Sequence, residues 1–465
     1  MVEQKALDAF KTSLHGDLLQ PSDPGYDEAR SVWNAMIDRR PDLIARCRGV
    51  ADVVLCVHFA RAHKLNLSIK GGGHNIAGLA VCDGGIMLDM SFMRGVWVDQ
   101  TSRTAQAQAG CLLSDVDRET QLHGLAAVLG FISNTGTAGL TLGGGFGYLT
   151  RKFGWTTDNL LSTEVVTSDG NIVRASDKEN QDLFWALRGG GGNFGVVTNF
   201  EYKLHPVGPE VMAGAIAWRA ESAGEVLEMF RAVMEKAPPE LVCVAGLRIA
   251  PPAPWLAKDV HGKPIVALFV CHSGELTEGE RLVAPIKGFG APVGDIIQRR
   301  SYVSQQSLLD ATQPKGRRYY WKSEYLPGLK PDLLAKTIGH AKAIKSPHSA
   351  ILLFPLDGAL NRLSEDHSAV GNRDAACVIN IASSWDKSED DETNIEWARA
   401  AWEDMRGFST GGTYINFLTE EEDDNRIRAA YRKNYERLID IKTKWDPANL
   451  FHINKNIVPR GERTR

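Results

Sequence analysis

Cysteine is scarce in this chain: seven residues scattered over 465, an odd count with no C-x-x-C pair. That excludes a zinc ribbon and a disulfide framework, and it fits a reducing cytoplasm. Long apolar runs are missing as well. No stretch approaches the length a transmembrane helix needs, and Met1-Val2-Glu3-Gln4-Lys5 lacks the charged-then-apolar order of a signal peptide, so no membrane partner is expected. Basic runs are absent and the net charge is −4, which argues against nucleic acid as a partner. No G-K-[ST] closes any glycine run, so there is no P-loop. The remaining composition, 43% hydrophobic and 24% charged, is that of a globular protein, and the length implies two domains.

What is abundant is glycine, 45 residues, and much of it is clustered. The first cluster is Ser68-Ile69-Lys70-Gly71-Gly72-Gly73-His74-Asn75, an apolar run entering a triple glycine that presents one histidine. Consecutive glycines let backbone N–H groups turn toward one anion, and a diphosphate is the natural guest of such a nest. A glycine-rich turn beside a surface histidine is the other reading of the same residues. The second cluster runs from Thr135-Gly136 through Gly139 to Leu142-Gly143-Gly144-Gly145-Phe146-Gly147. So much glycine carries a large folding-entropy penalty, which makes sense if backbone must approach a flat, extended ligand closely. The third, Arg188-Gly189-Gly190-Gly191-Gly192-Asn193-Phe194-Gly195, formally satisfies G-x-G-x-x-G. A dinucleotide turn needs a strand before it and a helix after it, whereas here a helical segment precedes and a strand follows, so a nicotinamide cofactor is rejected.

Hydrophobic periodicity divides the chain. Up to residue 207, strands (Ile86-Met87-Leu88-Asp89-Met90, Glu164-Val165-Val166-Thr167-Ser168, Val196 to Tyr202) alternate with helices (Asp52 to His63, Gln181 to Arg188). Residues 208–411 lose the glycine clusters. Helices at Glu225 to Lys236, Asp332 to Ile344 and Asn394 to Met405 alternate there with strands at Leu241 to Ile249, Pro264 to Cys271, Ala350 to Pro355 and Cys377 to Ala382. Residues 412–465 hold one long charged helix, Asp424 to Lys444, and the turn Asp446-Pro447-Ala448-Asn449-Leu450-Phe451. The expected organisation is a cofactor domain at 1–207, a substrate domain at 208–411, and a return segment at 412–465 that completes the first. The acidic run Glu420-Glu421-Glu422-Asp423-Asp424 is expected to support the N-terminus of the last helix. His58, His63 and His123 show no metal-ligand spacing.

These stretches, with Arg151-Lys152-Phe153-Gly154, Asp158-Asn159-Leu160 and Asp182-Leu183-Phe184-Trp185, carry a family resemblance. The chain resembles the berberine-bridge-enzyme-like FAD-linked oxidases of the vanillyl-alcohol-oxidase superfamily, in their bacterial single-link branch. The resemblance implies an α+β fold: a PCMH-type FAD-binding domain of two subdomains, plus a substrate domain with an antiparallel sheet and covering helices. It also implies FAD joined covalently to His74. A second link through cysteine is missing, because Ile132 stands at that place and Cys82 and Cys111 belong to other stretches. Further cofactor contacts are implied at Lys70, Gly71, Gly72, Gly73, Asn75, Asn134, Thr135, Gly136, Gly139, Gly143, Gly144, Phe146, Gly195, Val197, Asn416 and Asn454.

For catalysis the resemblance points to Tyr414-x-Asn416, with the two side chains expected on one face of an extended strand. Asn380 stands where relatives often place a carboxylate base, so that route is closed. Tyr319-Tyr320-Trp321-Lys322-Ser323 offers Tyr320 and Lys322 as pocket residues, although an amphipathic strand on the core explains the aromatics equally well. Thr135 is small enough to admit oxygen beside the cofactor. The implied activity is oxidation of a small alcohol or amine, with molecular oxygen as the electron acceptor and hydrogen peroxide as the product. An oxygenase of a polyketide-like metabolite, or a catalytically silent flavin-fold protein, are the alternatives.

Overall fold

The computed structural model describes residues 2–461. Its N-terminal part builds two sheets. In the first, Leu43–Arg46, Ile86–Asp89 and Leu67–Lys70 run parallel with Ile86–Asp89 in the middle, and Asp17–Leu19 closes one edge antiparallel. Parallel strands need a crossover, and helix Val50–His63 provides it, burying Val53, Cys56, Val57 and Ala60. Ile86–Asp89 is buried at every position, as a central strand covered on both faces must be. The second sheet is antiparallel, in the order Val96–Asp99, Thr104–Gln108, Val196–Lys203, Leu160–Val166, Ile172–Ser176. One continuous core joins the two sheets and takes in Leu418, Tyr431, Leu438, Phe451 and Ile457 from the C-terminal segment.

Between these parts lies an eight-stranded antiparallel sheet. Its path runs Gly294–Asp295, Glu210–Arg219, Pro264–His272, Leu241–Ile249, Ala350–Pro355, Cys377–Trp385, Arg318–Leu326, with Gln298–Ser301 also paired to Glu210–Arg219. The two-residue strand period sorts its side chains cleanly. Ile216, Trp218, Leu268, Ile351 and Ile379 face helices Ala223–Lys236, Leu276–Lys287, Pro331–Lys342 and Asp391–Arg406. Ala213, Ala215, Val244, Ala267 and Val378 face the other way, toward Phe146, Trp155 and Tyr414. Helix Asp391–Arg406 illustrates why these helices form and dock. Asn394, Trp397, Ala398, Ala401 and Met405 make one buried stripe, while Asp391 and Glu392 open the helix and Arg406 closes it in the sense the macrodipole favours.

Two expectations change. The helix expected from Asp424 to Lys444 is two helices, Asp424–Tyr431 and Tyr435–Trp445, separated by a 3-10 turn. The break sits at Arg432, which takes a φ of 50°. It lets Asn434 Nδ2 donate to the Glu365 and Ser368 carbonyls at 2.8 and 3.2 Å, bonds a continuous helix would forgo. The acidic run does more than support a helix end. Asp423 alone caps it, accepting from Arg426 N at 2.9 Å, whereas Glu420 pairs with Arg39 and Glu421 and Glu422 bind Lys322.

Candidate functional site

Loop Gly71–Asn75 leaves the carboxyl end of the parallel strand Leu67–Lys70, the end where open α/β sheets hold ligands. It meets the second glycine cluster main chain to main chain: a Cβ on Gly72 would lie 2.5 Å from Gly136 Cα, which no side chain tolerates. The third cluster is tied in by Gly191 N, which donates to Leu142 O at 2.9 Å. All three line one cavity, whose far wall is the open face of the eight-stranded sheet. Gly139 and Gly192 face that cavity with nothing within 4 Å of where a Cβ would stand, so the backbone is presented bare to an occupant.

Of the residues expected from the sequence, Gly71, Gly72, Gly73, His74, Asn75, Thr135, Gly136, Gly139, Gly143, Phe146, Gly195, Val197, Asn380, Tyr414, Asn416 and Asn454 line this cavity. Five do not. Lys70 points to the opposite side of its strand, where Nζ donates to Ala29 O at 2.5 Å and lies 3.7 Å from Asp89; its neighbours Ile69 and Gly71 take the cavity side. Asn134 is exposed beside His74. Gly144 packs behind the wall, 3.6 Å from the Tyr414 ring by the position of a would-be Cβ.

Tyr320 and Lys322 are corrected outright, because strand alternation puts both on the helix-covered face. Lys322 Nζ sits 2.7 and 2.6 Å from Glu421 and Glu422 and over the Trp402 ring, while the Tyr320 hydroxyl bonds Glu421 and accepts from Arg399 at 3.1 Å. Trp321, between them, is the residue that reaches the cavity.

The Tyr414 hydroxyl accepts two hydrogen bonds, from Gly145 N at 3.0 Å and Asn416 Nδ2 at 2.9 Å. Both oxygen lone pairs are used, so its one proton remains for the cavity. Burial pushes its pKa up to about 12, against the pull of those two donors, so it stays a phenol at neutral pH. The pair was expected on a strand; it sits instead where extended Tyr414 enters a 3-10 turn, Ile415–Phe417. Asn416 fits there only against glycine, since a Cβ on Gly143 would stand 2.2 Å from its Oδ1.

Asn380 is 2% exposed and its Oδ1 has no partner, an orphan acceptor on the cavity wall. Asn454 leaves its Oδ1 equally unpaired, its amide donating to Gly192 O and Phe451 O. His74 is stacked on Trp33 at 4.5 Å, and Trp33 on Tyr319 at 3.6 Å. Its Nε2 is enclosed without a partner. Burial pulls the pKa of the ring down to about 4, a hydrogen bond with Asn134 working the other way, so the imidazole is neutral and keeps a free lone pair. Ile132 lines the cavity, and all seven cysteines are buried and free.

Sequence reasoning missed Trp33, Lys455 and Arg248, all at this site or stacked against it. Trp33 lies in an irregular segment that no periodicity marks. Arg248 did leave a signal: it continues the buried face of Val242, Val244 and Gly246 along strand Leu241–Ile249. Among the described residues no aspartate or glutamate lines the cavity, no three metal-ligating side chains cluster, and no helix is long and apolar enough to cross a membrane.

Two family descriptions match the chain: "FAD binding domain" over residues 41–176 and "Berberine and berberine like" over 413–458. An FAD-linked oxidoreductase of Dictyostelium discoideum is 31% identical over 97% of this chain and 96% of its own length. The (R)-6-hydroxynicotine oxidase of Paenarthrobacter nicotinovorans is 32% identical over 97% of this chain and 99% of its own. The crystal structure of 6-hydroxy-D-nicotine oxidase from Arthrobacter nicotinovorans superposes with a TM-score of 0.86 at 29% identity, covering 96% of this chain and 98% of that one. Berberine bridge enzyme, at 20% identity and a TM-score of 0.84 over 98% of this chain and 99% of that one, shares the fold.

Proposed function

Because the chain belongs to the berberine-bridge-enzyme-like family of FAD-linked oxidoreductases, we propose that it is an FAD-dependent oxidase of a small amine or alcohol. Bound FAD supplies a two-electron acceptor that takes hydride from carbon and delivers the electrons to molecular oxygen as hydrogen peroxide. The residues fit that group: bare glycine backbone at Gly139 and Gly192, and the unpaired Oδ1 of Asn454, face the cavity. We assign the covalent attachment to His74, whose neutral ring has the lone pair the bond requires, and to His74 alone, since Ile132 offers no thiol.

What carries the reading is one polar arrangement on the cavity wall. Tyr414 has a proton to give and Asn380 has an acceptor to offer, with no carboxylate beside either. The phenol of Tyr414 donates to the substrate heteroatom, and Asn380 Oδ1 accepts its N–H or O–H, which orients the C–H bond to be broken. No strong base is present, a circumstance that suits an amine bound neutral: no proton need leave first, and as hydride departs the nitrogen lone pair passes from the Tyr414 hydrogen bond into the new carbon–nitrogen double bond. Similarity to the hydroxynicotine oxidases supports the amine alternative over the alcohol.

Acid precipitation of the purified protein tests the cofactor assignment. Yellow colour in the pellet, mapped to the peptide containing His74 and lost to the supernatant in His74→Ala, is the expected result; colour retained in the His74→Ala pellet refutes the link. Peroxide formed mole for mole with oxygen consumed, on a panel of amines and alcohols, tests the activity. Labelled oxygen recovered in the product would instead make the protein an oxygenase.

A further inference from the structure

The sheet face that walls the cavity carries one charge the oxidation does not use. Arg248 lies on strand Leu241–Ile249, facing the cavity. Its only protein hydrogen bond among the described residues is a 3.3 Å contact from Nε to Ile249 O, which leaves both terminal nitrogens for an occupant. Two fully buried arginines are handled differently. Arg151 binds Asp357 at 3.2 Å plus backbone carbonyls, and Arg373 binds Asp158 at 2.7 Å with both side chains 2% exposed. Asp386, the carboxylate that meets the cavity-lining His348, is already engaged: it accepts from Arg317 at 3.0 Å through one oxygen and pairs with His348 at 3.0 Å through the other. Removal from water, and after it repulsion from Arg317, draws the Arg248 guanidinium pKa down to about 10, still a cation at neutral pH. A guanidinium without a counter-charge on a half-buried cavity wall is an unfavourable arrangement that a bound anion relieves.

Strand register fixes where that ligand would lie. Arg248 pairs with Ala350, which pairs with Ala382, while Asn380 stands opposite Leu352, one same-face step along. Strand spacing and rise put the Arg248 and Asn380 Cα atoms about 12 Å apart on the same face, a gap one small molecule bridges. Ala350 and Ala382 keep the floor between them low.

We infer that Arg248 anchors a carboxylate of the substrate, so that the compound oxidised is a small amine or alcohol that also carries a carboxylic acid. Arginine suits this role because its planar fork meets a carboxylate through two parallel hydrogen bonds. The inference rests on the oxidase reading for which atom is oxidised, but not for what Arg248 binds.

The test titrates the oxidised holoenzyme with benzoate, phenylacetate and pyridine-3-carboxylate and with the three matching neutral amides, following heat and the change in flavin absorption. The acids are expected to bind about ten- to hundred-fold tighter than the amides, the ratio one charge-assisted hydrogen bond is worth. Arg248→Gln should erase that preference with flavin content unchanged, and Arg248→Lys should keep part of it. Equal binding of acids and amides by the wild type, no binding of any acid, or a preference that survives in Arg248→Gln overturns the inference. Should Arg248→Gln fail to fold, the wild-type ratio and its partial retention in Arg248→Lys decide. Failure of the oxidase reading looks different: no peroxide from any substrate, with the acid preference intact.

Discussion

Replacing Tyr414 with phenylalanine separates what the hydroxyl does for the fold from what it does for the substrate. The ring survives, with its edge contacts to Phe146 and Phe417, both at 4.9 Å, and its stacking on Trp155 at 5.8 Å. What is lost is an acceptor for two donors. Gly145 N–H is buried and has no replacement, whereas the Asn416 amide still has Gly139 O and Leu140 O at 3.3 Å. One orphaned backbone donor and one weakened amide amount to about 2–4 kcal/mol of stability. Chemistry loses the hydrogen bond that holds the substrate heteroatom and orients its C–H bond, so the rate of flavin reduction should fall about ten- to hundred-fold, with flavin content unchanged.

Denaturant unfolding and anaerobic stopped-flow flavin reduction read the two effects independently. The pKa adds a signature of sign. It is raised from the ordinary 10 to about 12, so the folded state holds this proton more tightly; the associated stability is fully present below pH 10 and is lost as pH rises toward 12. The phenylalanine variant should lack that alkaline loss, and no ionisation of Tyr414 should appear in the wild-type rate at neutral pH. Normal flavin reduction in a destabilised variant would refute the donor role and leave Tyr414 a structural residue.

Asn380→Asp places a carboxyl where burial raises its pKa, so kcat/KM should gain a limb that rises with pH as the new base ionises; an unchanged pH profile would remove position 380 from the substrate's reach. Gly143→Ala drives a methyl into Asn416 and should depress turnover as Tyr414→Phe does, the double variant falling no further than the worse single one if both act through the same hydrogen bond. Lys442→Met strands Asp446, whose pair with Lys442 is 2.7 Å long and fully enclosed, and should lower the unfolding free energy by about 3–5 kcal/mol in denaturant titration. Because Lys442 also holds Asn193 O and Phe451 O at 2.8 and 3.0 Å, beside the third glycine cluster, that variant should lose flavin more readily on heating.

Much of this protein is decided locally and is therefore legible in the chain. Glycine clusters report where backbone must come bare and close, and period-two and period-3.6 patterns placed strand Leu241–Ile249 to the residue and helix Val50–His63 within two. Asn380 and Ile132, set against the family resemblance, report that the positions where relatives carry a carboxylate and a thiol hold neither, and both residues line the cavity. Local pattern does not say which face of a strand meets which neighbour. Tyr320 and Lys322 alternate properly with Trp321, yet only the docking of helix Asp391–Arg406 and the pull of Glu421 and Glu422 decide that the cavity receives the tryptophan. Trp33 reaches His74, and Arg248 comes to share a wall with Asn380, through contacts between segments tens to hundreds of residues apart. Backbone conformation follows from each residue's own sterics and is written in the sequence. The pairing of a buried charge or an aromatic face follows from packing, which exists only once the chain has folded.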